Sequence, residues 1–326
     1  MKNKSFVVPA LLLATALSAA GCGGSDTTST PDMTTPAATK DIVATASGAA
    51  NLTTLVAAVK AADLVTTLQG AGPFTVFAPT DTAFSKIDPS ITGKLLTAPY
   101  KTELALILKY HVIAGDVKAA AILGKTLDQA TAAPGGAKLK IDGSDGKTVT
   151  INGGVKVATA DVAASNGTVH IVDGVLLPTI VDTAKGYDDG TTKFSTLVSA
   201  VVAADLAGLL SGPGTFTVFA PSDAAFAKLK TALGDAAYNA ILADKAKLAR
   251  ILKYHVLTAQ VLAKDVASGA VATAAGANDK ITLTVGAGKV TIADSTATAA
   301  NVVFTDVPNS NGVIHVIDKV LIPANL

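Results

Sequence analysis

From residue 50 onward the apolar positions follow two successive rhythms. Leu52, Leu55, Val56, Val59, Leu64 and Leu68 recur at intervals of three and four, the spacing of a helix with one buried face. Residues 74–77 read as a short strand stopped by Pro79. Thr80 or Asp81 then offers a side-chain oxygen to cap a helix carrying Phe84 and Ile87. A further helix near residues 101–110 leads into Tyr110-His111. Beyond it the period changes to two: Leu139 with Ile141, Val149 with Ile151, Val155 with Val157, separated by Gly and Asp turns. The last strand, through His170-Ile171-Val172, is apolar on both faces, which predicts a central strand covered on both sides. Helices followed by strands predict an α+β fold.

The whole pattern then occurs a second time. Phe74-Thr75-Val76-Phe77-Ala78-Pro79 returns as Phe216-Thr217-Val218-Phe219-Ala220-Pro221. Leu108-Lys109-Tyr110-His111-Val112 returns as Leu252-Lys253-Tyr254-His255-Val256. Asn166-Gly167-Thr168-Val169-His170-Ile171-Val172-Asp173 returns as Asn311-Gly312-Val313-Ile314-His315-Val316-Ile317-Asp318. The offset grows from 142 through 144 to 145 residues, as duplicated domains with small loop insertions would show. Ile42-Val43-Ala44-Thr45-Ala46 is matched by Ile180-Val181-Asp182-Thr183-Ala184, so the boundary falls just after Pro178. The expected domains are residues 40–179 and 180–326. In the second, Ser222 or Asp223 is the helix cap ahead of Phe226.

Composition narrows the function. The chain has 326 residues, enough for two cores, and is 49% hydrophobic with only 4% aromatic and 16% charged residues. A formal charge of +1 without a basic cluster argues against nucleic acid as a partner. The single cysteine, Cys22, rules out an internal disulfide and a multi-thiolate metal site.

Residues 1–22 read as a secretory signal: Lys2 and Lys4, an apolar run including Val7, Val8 and residues 11–13, then Ser18-Ala19-Ala20-Gly21. The run over residues 6–20 is too short for a permanent membrane span. Ala20-Gly21-Cys22 resembles a bacterial lipobox, in which the cysteine becomes the lipid-bearing N-terminus, although Ala19 stands where Leu is more usual. Residues 23–39, rich in Ser, Thr, Pro, Asp and Gly, read as a solvated tether. The expected localisation is export across the inner membrane, then lipid anchoring through Cys22 in the outer membrane or at the cell surface.

The repeated segments resemble the fasciclin domain over residues 40–180 and 181–326. Residues 74–84 and 216–226 resemble its first signature block, residues 166–178 and 311–323 its second, and Tyr110-His111 and Tyr254-His255 the region between. The resemblance implies that each copy is a wedge of two β-sheets packed with helices. It also implies extracellular adhesion to an as yet unspecified protein or glycan ligand. In animal relatives an Asp-Ile pair ahead of the second block, together with the Tyr-His region, is associated with receptor binding. The corresponding candidates here are Asp161, Val162, Asp306, Val307, Tyr110, His111, Tyr254 and His255, with Val one methylene smaller than Ile.

Read from the residues alone, the histidines fit a packing role best, with contact to a ligand as the alternative. A zinc site needs three or four protein ligands. Each copy has two histidines, and Asp173 or Asp318, three residues beyond the second, projects from the opposite strand face. His111 ends the stripe Leu104, Ile107, Leu108; His255 ends Leu248, Ile251, Leu252; His315 shares a strand face with Val313 and Ile317. A buried imidazole must find ring partners, and a bond pinning helix to sheet would supply one. No metal, cofactor or catalytic residue is expected, since the chain has no Gly-x-Ser-x-Gly elbow and no phosphate-cradling Gly loop. Three functions are carried forward: an adhesion module gaining avidity from two sites, a structural envelope-assembly lipoprotein, and an envelope enzyme acting on polysaccharide. For the last, no carboxylate pair stands out.

Overall fold

In the computed structural model, which describes residues 38–286, 288–324 and 326, the first copy opens with α1 (Ile42–Ser47), α2 (Thr53–Ala61) and α3 (Val65–Leu68). It lays down β1 (Phe74–Pro79) and returns to helix with α4 (Asp81–Phe84), α5 (Pro89–Leu95) and α6 (Lys101–Tyr110). Then come β2 (Val112–Ala114), α7 (Ala119–Ile122), β3 (Thr126–Ala130), β4 (Lys138–Asp142), β5 (Thr150–Ile151), β6 (Val155–Ala164) and β7 (Gly167–Val172). The second copy repeats the plan with α8 (Ile180–Gly186), α9 (Ser195–Ala203), α10 (Ala207–Ser211), β8 (Phe216–Pro221), α11 (Asp223–Leu233), α12 (Asp235–Ala243) and α13 (Lys245–Tyr254). Its strands continue as β9 (Val256–Leu257), β10 (Gly269–Thr273), β11 (Gly276–Gly286), β12 (Lys289–Ala293), β13 (Ala300–Asn309) and β14 (Gly312–Ile317). The secretory leader, Cys22 and all but the last two residues of the tether lie outside the described residues.

The strand orders are β2-β1-β7-β6-β5-β4-β3 and β9-β8-β14-β13-β12-β11-β10, the same topology twice. As its apolar pattern predicts, β7 is interior: it runs parallel to β1 and antiparallel to β6. The two limbs of each wedge share one long strand. The start of β6 pairs with β5 (Ile151 opposite Val155), and its end pairs with β7 (Val162 opposite Val169), with register irregularities on either side of Thr159. Such bulges bend a strand and re-aim its side chains. In the second copy β13 bends in the same way on either side of Phe304.

Two apolar clusters fill each copy. In the first, Leu55, Val59, Leu68, Val76, Leu104, Ile107 and Leu108 pack helices on one side of the sheet. Phe77, Tyr110, Leu139, Ile141, Ile151 and Val172 fill the wedge on the other. The helical stripe and the alternating strand positions thus belong to different cores.

Local chemistry explains why the signature residues recur. Thr80 caps α4, its Oγ1 accepting from Ala83 N at 3.1 Å. Asp81 instead reaches back to α2, whose own N-cap Leu52 has no side-chain acceptor; it accepts from Thr54 N at 2.7 Å and Thr53 Oγ1 at 2.8 Å. Asp223 does the same for α9 through Ser195 Oγ at 2.6 Å and Thr196 N at 2.8 Å. Asn166 accepts from Ile42 N at 3.0 Å and donates to the Leu68 and Gly70 carbonyls, so one amide ties α1 and the end of α3 to the start of β7. Asn311 repeats this with Ile180, Leu210 and Gly212. Gly167 has φ +155°, and a Cβ there would lie 1.9 Å from the Phe74 carbonyl oxygen, so only glycine fits.

Candidate functional site

The bulge in β6 sets Asp161 at φ +58°, and that in β13 sets Asp306 at φ +60°. Aspartate tolerates this left-handed region when its short side chain bonds locally. Asp161 N donates to His170 Nδ1 at 3.2 Å, and His170 Nε2 lies 2.8 Å from the Val117 carbonyl. The imidazole is therefore the Nε2–H tautomer, accepting from the bulge and donating to the loop ahead of α7. Asp161 Oδ1 closes the node by accepting from Ala119 N at 2.9 Å. The second copy is equivalent: Asp306 N to His315 Nδ1 at 3.2 Å, His315 Nε2 to Val261 O at 2.9 Å, and Ala263 N to Asp306 Oδ1 at 2.7 Å. Burial pushes His315 below the usual imidazole range, consistent with the neutral ring this geometry requires. The rings stack on Phe77 and Phe219 with centroids 5.5 and 5.7 Å apart. His170 and His315, not among the candidate residues, are thus what holds each Asp in place. Their recurrence at one position of a central strand was the available signal.

The two equivalent carboxylates meet different surroundings. Asp161 is exposed, as are Ala158, Thr159 and Ala160 beside it, and it forms no ion pair among the described residues. Asp306 and Val307 are each only 2% exposed; Val307 packs into the second domain's own helix-side core, and Asp306 is covered by the first copy. Lys94 of α5 pairs with Asp306 Oδ2 and donates to Thr305 Oγ1 at 3.2 Å. Tyr100 OH lies 3.3 Å from the same hydroxyl, and its ring packs on Phe304 with centroids 4.1 Å apart. Lys264 reaches Asp88 at 3.4 Å, and Leu262 and Val313 merge into the helix-side core of the first copy. At the matching positions the first copy has Lys118, Thr168 and Thr159 in place of Leu262, Val313 and Phe304. Lys118 donates to Thr168 Oγ1 at 2.5 Å and pairs with Asp116 at 3.4 Å, so that face is polar and open. Asp306 and Val307, expected to face a partner, are corrected: Asp306 belongs to an intramolecular seam, and Val307 to the core of its own domain.

The Tyr-His region is also corrected as a contact surface. Tyr110 and Tyr254 are buried, donating to the Lys138 and Lys280 carbonyls at 3.0 and 2.6 Å. His111 Nδ1 lies 2.8 Å from Ile107 O, and its Nε2 accepts from Leu176 N at 2.9 Å. His255 makes the same pair of bonds, to Ile251 O at 2.8 Å and from Leu321 N at 2.8 Å. Desolvation takes both rings down to about 4, so they are neutral. Each pins the end of its helix to the chain that follows the central strand, the packing role read from the stripe. Among the described residues no group of three or more His, Cys, Asp or Glu is placed to hold a metal ion. No helix among them is long and apolar enough to cross a membrane.

These features define a protein of two tandem α+β domains, each with a histidine-held aspartate on a bent strand, one open and one covered. The chain belongs to the fasciclin domain family, whose model matches residues 50–178 and 192–323. It is 44% identical over 137 residues to protein sll1483 of Synechocystis sp. (strain ATCC 27184 / PCC 6803 / Kazusa), covering 42% of this chain and 73% of that one. It is 31% identical over 259 residues to transforming growth factor-beta-induced protein ig-h3 of Sus scrofa, covering 78% of this chain and 35% of the relative, about a third of its length. Among solved structures it is similar to a FAS1 domain pair from the insect cell adhesion molecule Fasciclin I, at 22% identity and a TM-score of 0.37, covering 81% of this chain and 94% of that one.

Proposed function

We propose that this protein is an extracellular adhesion module, held in the bacterial envelope by a lipid on Cys22, which engages a protein or glycan ligand through the Asp161–Val162 face of its first domain. Fasciclin domains are typical of cell-adhesion and extracellular binding proteins. The observation that carries the reading is the open Asp161 carboxylate, aimed by His170 and Ala119 N and flanked by small residues that let a ligand approach. Such preorganisation lowers the entropic cost of binding. The arrangement supports one open face per chain rather than two, so avidity comes from several anchored chains on one surface.

The test is retention of the full mature chain on matrix-protein and glycan arrays. Asp161→Asn is expected to lower retention about tenfold or more, the scale of a charge-assisted bond, while Asp306→Asn leaves it unchanged. Equal retention of wild type and Asp161→Asn would remove the site. Mass spectrometry of the native N-terminal peptide tests acylation of Cys22.

A second reading, a structural envelope-assembly lipoprotein, is favoured by two exposed aliphatic side chains peculiar to one copy. Val202 and Leu209 of the second domain are 59% and 49% exposed, at positions where the first domain has Lys60 and Thr67. Exposed aliphatics mark protein contacts where they join into a patch. Crosslinking in cells that captures envelope proteins through Val202 would favour it. An envelope enzyme acting on polysaccharide has no observation in its favour among the described residues.

A further inference from the structure

The seam between the domains also buries a carboxyl group. Glu103, in the first turn of α6, is 0% exposed, and neither of its oxygens has a hydrogen-bond partner. The polar groups facing it come from the second domain: the Tyr187 hydroxyl and the Asp189 carboxylate. Tyr187 OH donates to Asp189 Oδ2 at 3.3 Å, so its single proton is committed. Gly186, next in line, packs so closely that a Cβ there would lie 2.7 Å from Leu106 of α6 and 2.5 Å from the Pro134 carbonyl. Among the described residues no cation pairs with Glu103. Lys101 of the same helix pairs with Asp63, and Lys94 of α5 pairs with Asp306. An ionised Glu103 therefore has no cation to pair with and faces the Asp189 carboxylate, with only its own backbone N–H and a shared Tyr187 hydroxyl as donors, whereas a protonated one has a hydrogen to offer Tyr187.

We propose that the domain seam is a proton-controlled latch: protonated Glu103 closes it, and ionised Glu103 loosens it and uncovers the Phe304–Asp306 face. This goes beyond the adhesion reading and does not depend on Asp161 being a contact. Burial holds Glu103 up to about 7, from an ordinary value of 4.5 to which it returns once the seam opens to water. Because the closed state prefers the acid form, closure is fully favoured below the lower value and weakens as pH rises through the upper one. At tenfold per pH unit, the closing equilibrium falls by up to about 300-fold. The other named groups do not share this window. Tyr187 is pushed up by burial, Asp189 is held low against its burial by the Thr192 and Thr191 amides together, and His315 stays neutral.

The experiment measures the distance between spin labels on the full chain at Lys125→Cys and Lys289→Cys, in a Cys22→Ser background, from pH 5 to 9. One narrow distance is expected at pH 5, broadening with a midpoint near 7, while Glu103→Gln stays narrow throughout. A distribution unchanged across this range, or a Glu103→Gln variant that follows the wild-type course, overturns the latch.

Discussion

The Lys94 ammonium of the first domain sits on the Asp306 carboxylate of the second, 212 residues away. That one contact separates two aspartates with the same backbone conformation, the same histidine and the same amide on Oδ1. The duplication produced two equivalent faces; the pairing of domains consumed one of them. Divergence followed the contact, with Leu262, Val313 and Phe304 suiting a buried seam, Lys118 and Thr159 suiting water, and buried Thr168 bonded to Lys118 and Asp116.

Removing Lys94 leaves a buried, unpaired charge on Asp306. Breaking a fully buried pair costs about 3–5 kcal/mol, but Lys94 is 36% exposed, so solvent screening reduces the expected loss to about 1–2 kcal/mol. Lys94→Ala combined with Asp306→Asn should cost less than the two single changes added together. A double-mutant cycle by urea unfolding reads the coupling; a value of zero would show the pair to be idle.

His111 and His255 make stability fall with acid. Each is held neutral down to about 4, against an ordinary value of 6.5 in the unfolded chain. Their contribution is complete above 6.5 and is lost as pH falls toward 4, because the unfolded chain takes up protons the folded one refuses. The loss is about 3 kcal/mol for each ring. Unfolding midpoints measured from pH 7 to 4 should drop steeply, and a folded His255→Gln variant should flatten the slope of the second domain's transition. The sign is opposite to that of Glu103, which favours closure at low pH.

Two glycines in the first domain should respond in opposite directions. Gly167→Ala forces a Cβ to within 1.9 Å of the Phe74 carbonyl, and should destabilise the domain by at least about 3 kcal/mol. Gly93 lies inside α5 with nothing within 4 Å of its added Cβ, so Gly93→Ala should stabilise by about 0.5–1 kcal/mol. Thermal unfolding of both variants checks the pair. A rise in melting temperature for Gly167→Ala would contradict the packing at the start of β7.

Much of the fold is legible along the chain because its causes are local. The three-and-four stripe of Leu52 to Leu68 is a helix face, and the alternation at Leu139, Ile141 and Ile151 is a strand face. Thr80 and Ser222 cap the helices they precede. Asp81 shows the limit: the residue type marked it as a cap, but the helix it caps lies 27 residues back. The inward position of His111 followed from its stripe. Burial of Tyr110 did not, because its ring enters the wedge on the other side of the sheet and its partner Lys138 O comes from β4.

The sequence by itself determined the duplication, the α+β plan, the family and the pair of Asp-Val positions, since each rests on residue types repeated at near-constant spacing. Only the tertiary structure decided which aspartate stays open and where Glu103 lies. A glutamate in the first turn of a helix ordinarily favours the positive end of the dipole and stays in water; here Tyr187 and Gly186 of the other domain shut it in. Exposure is a property of what packs against a residue, and in this chain the groups that close over Asp306 and Glu103, Lys94 and Tyr187, come from the opposite domain.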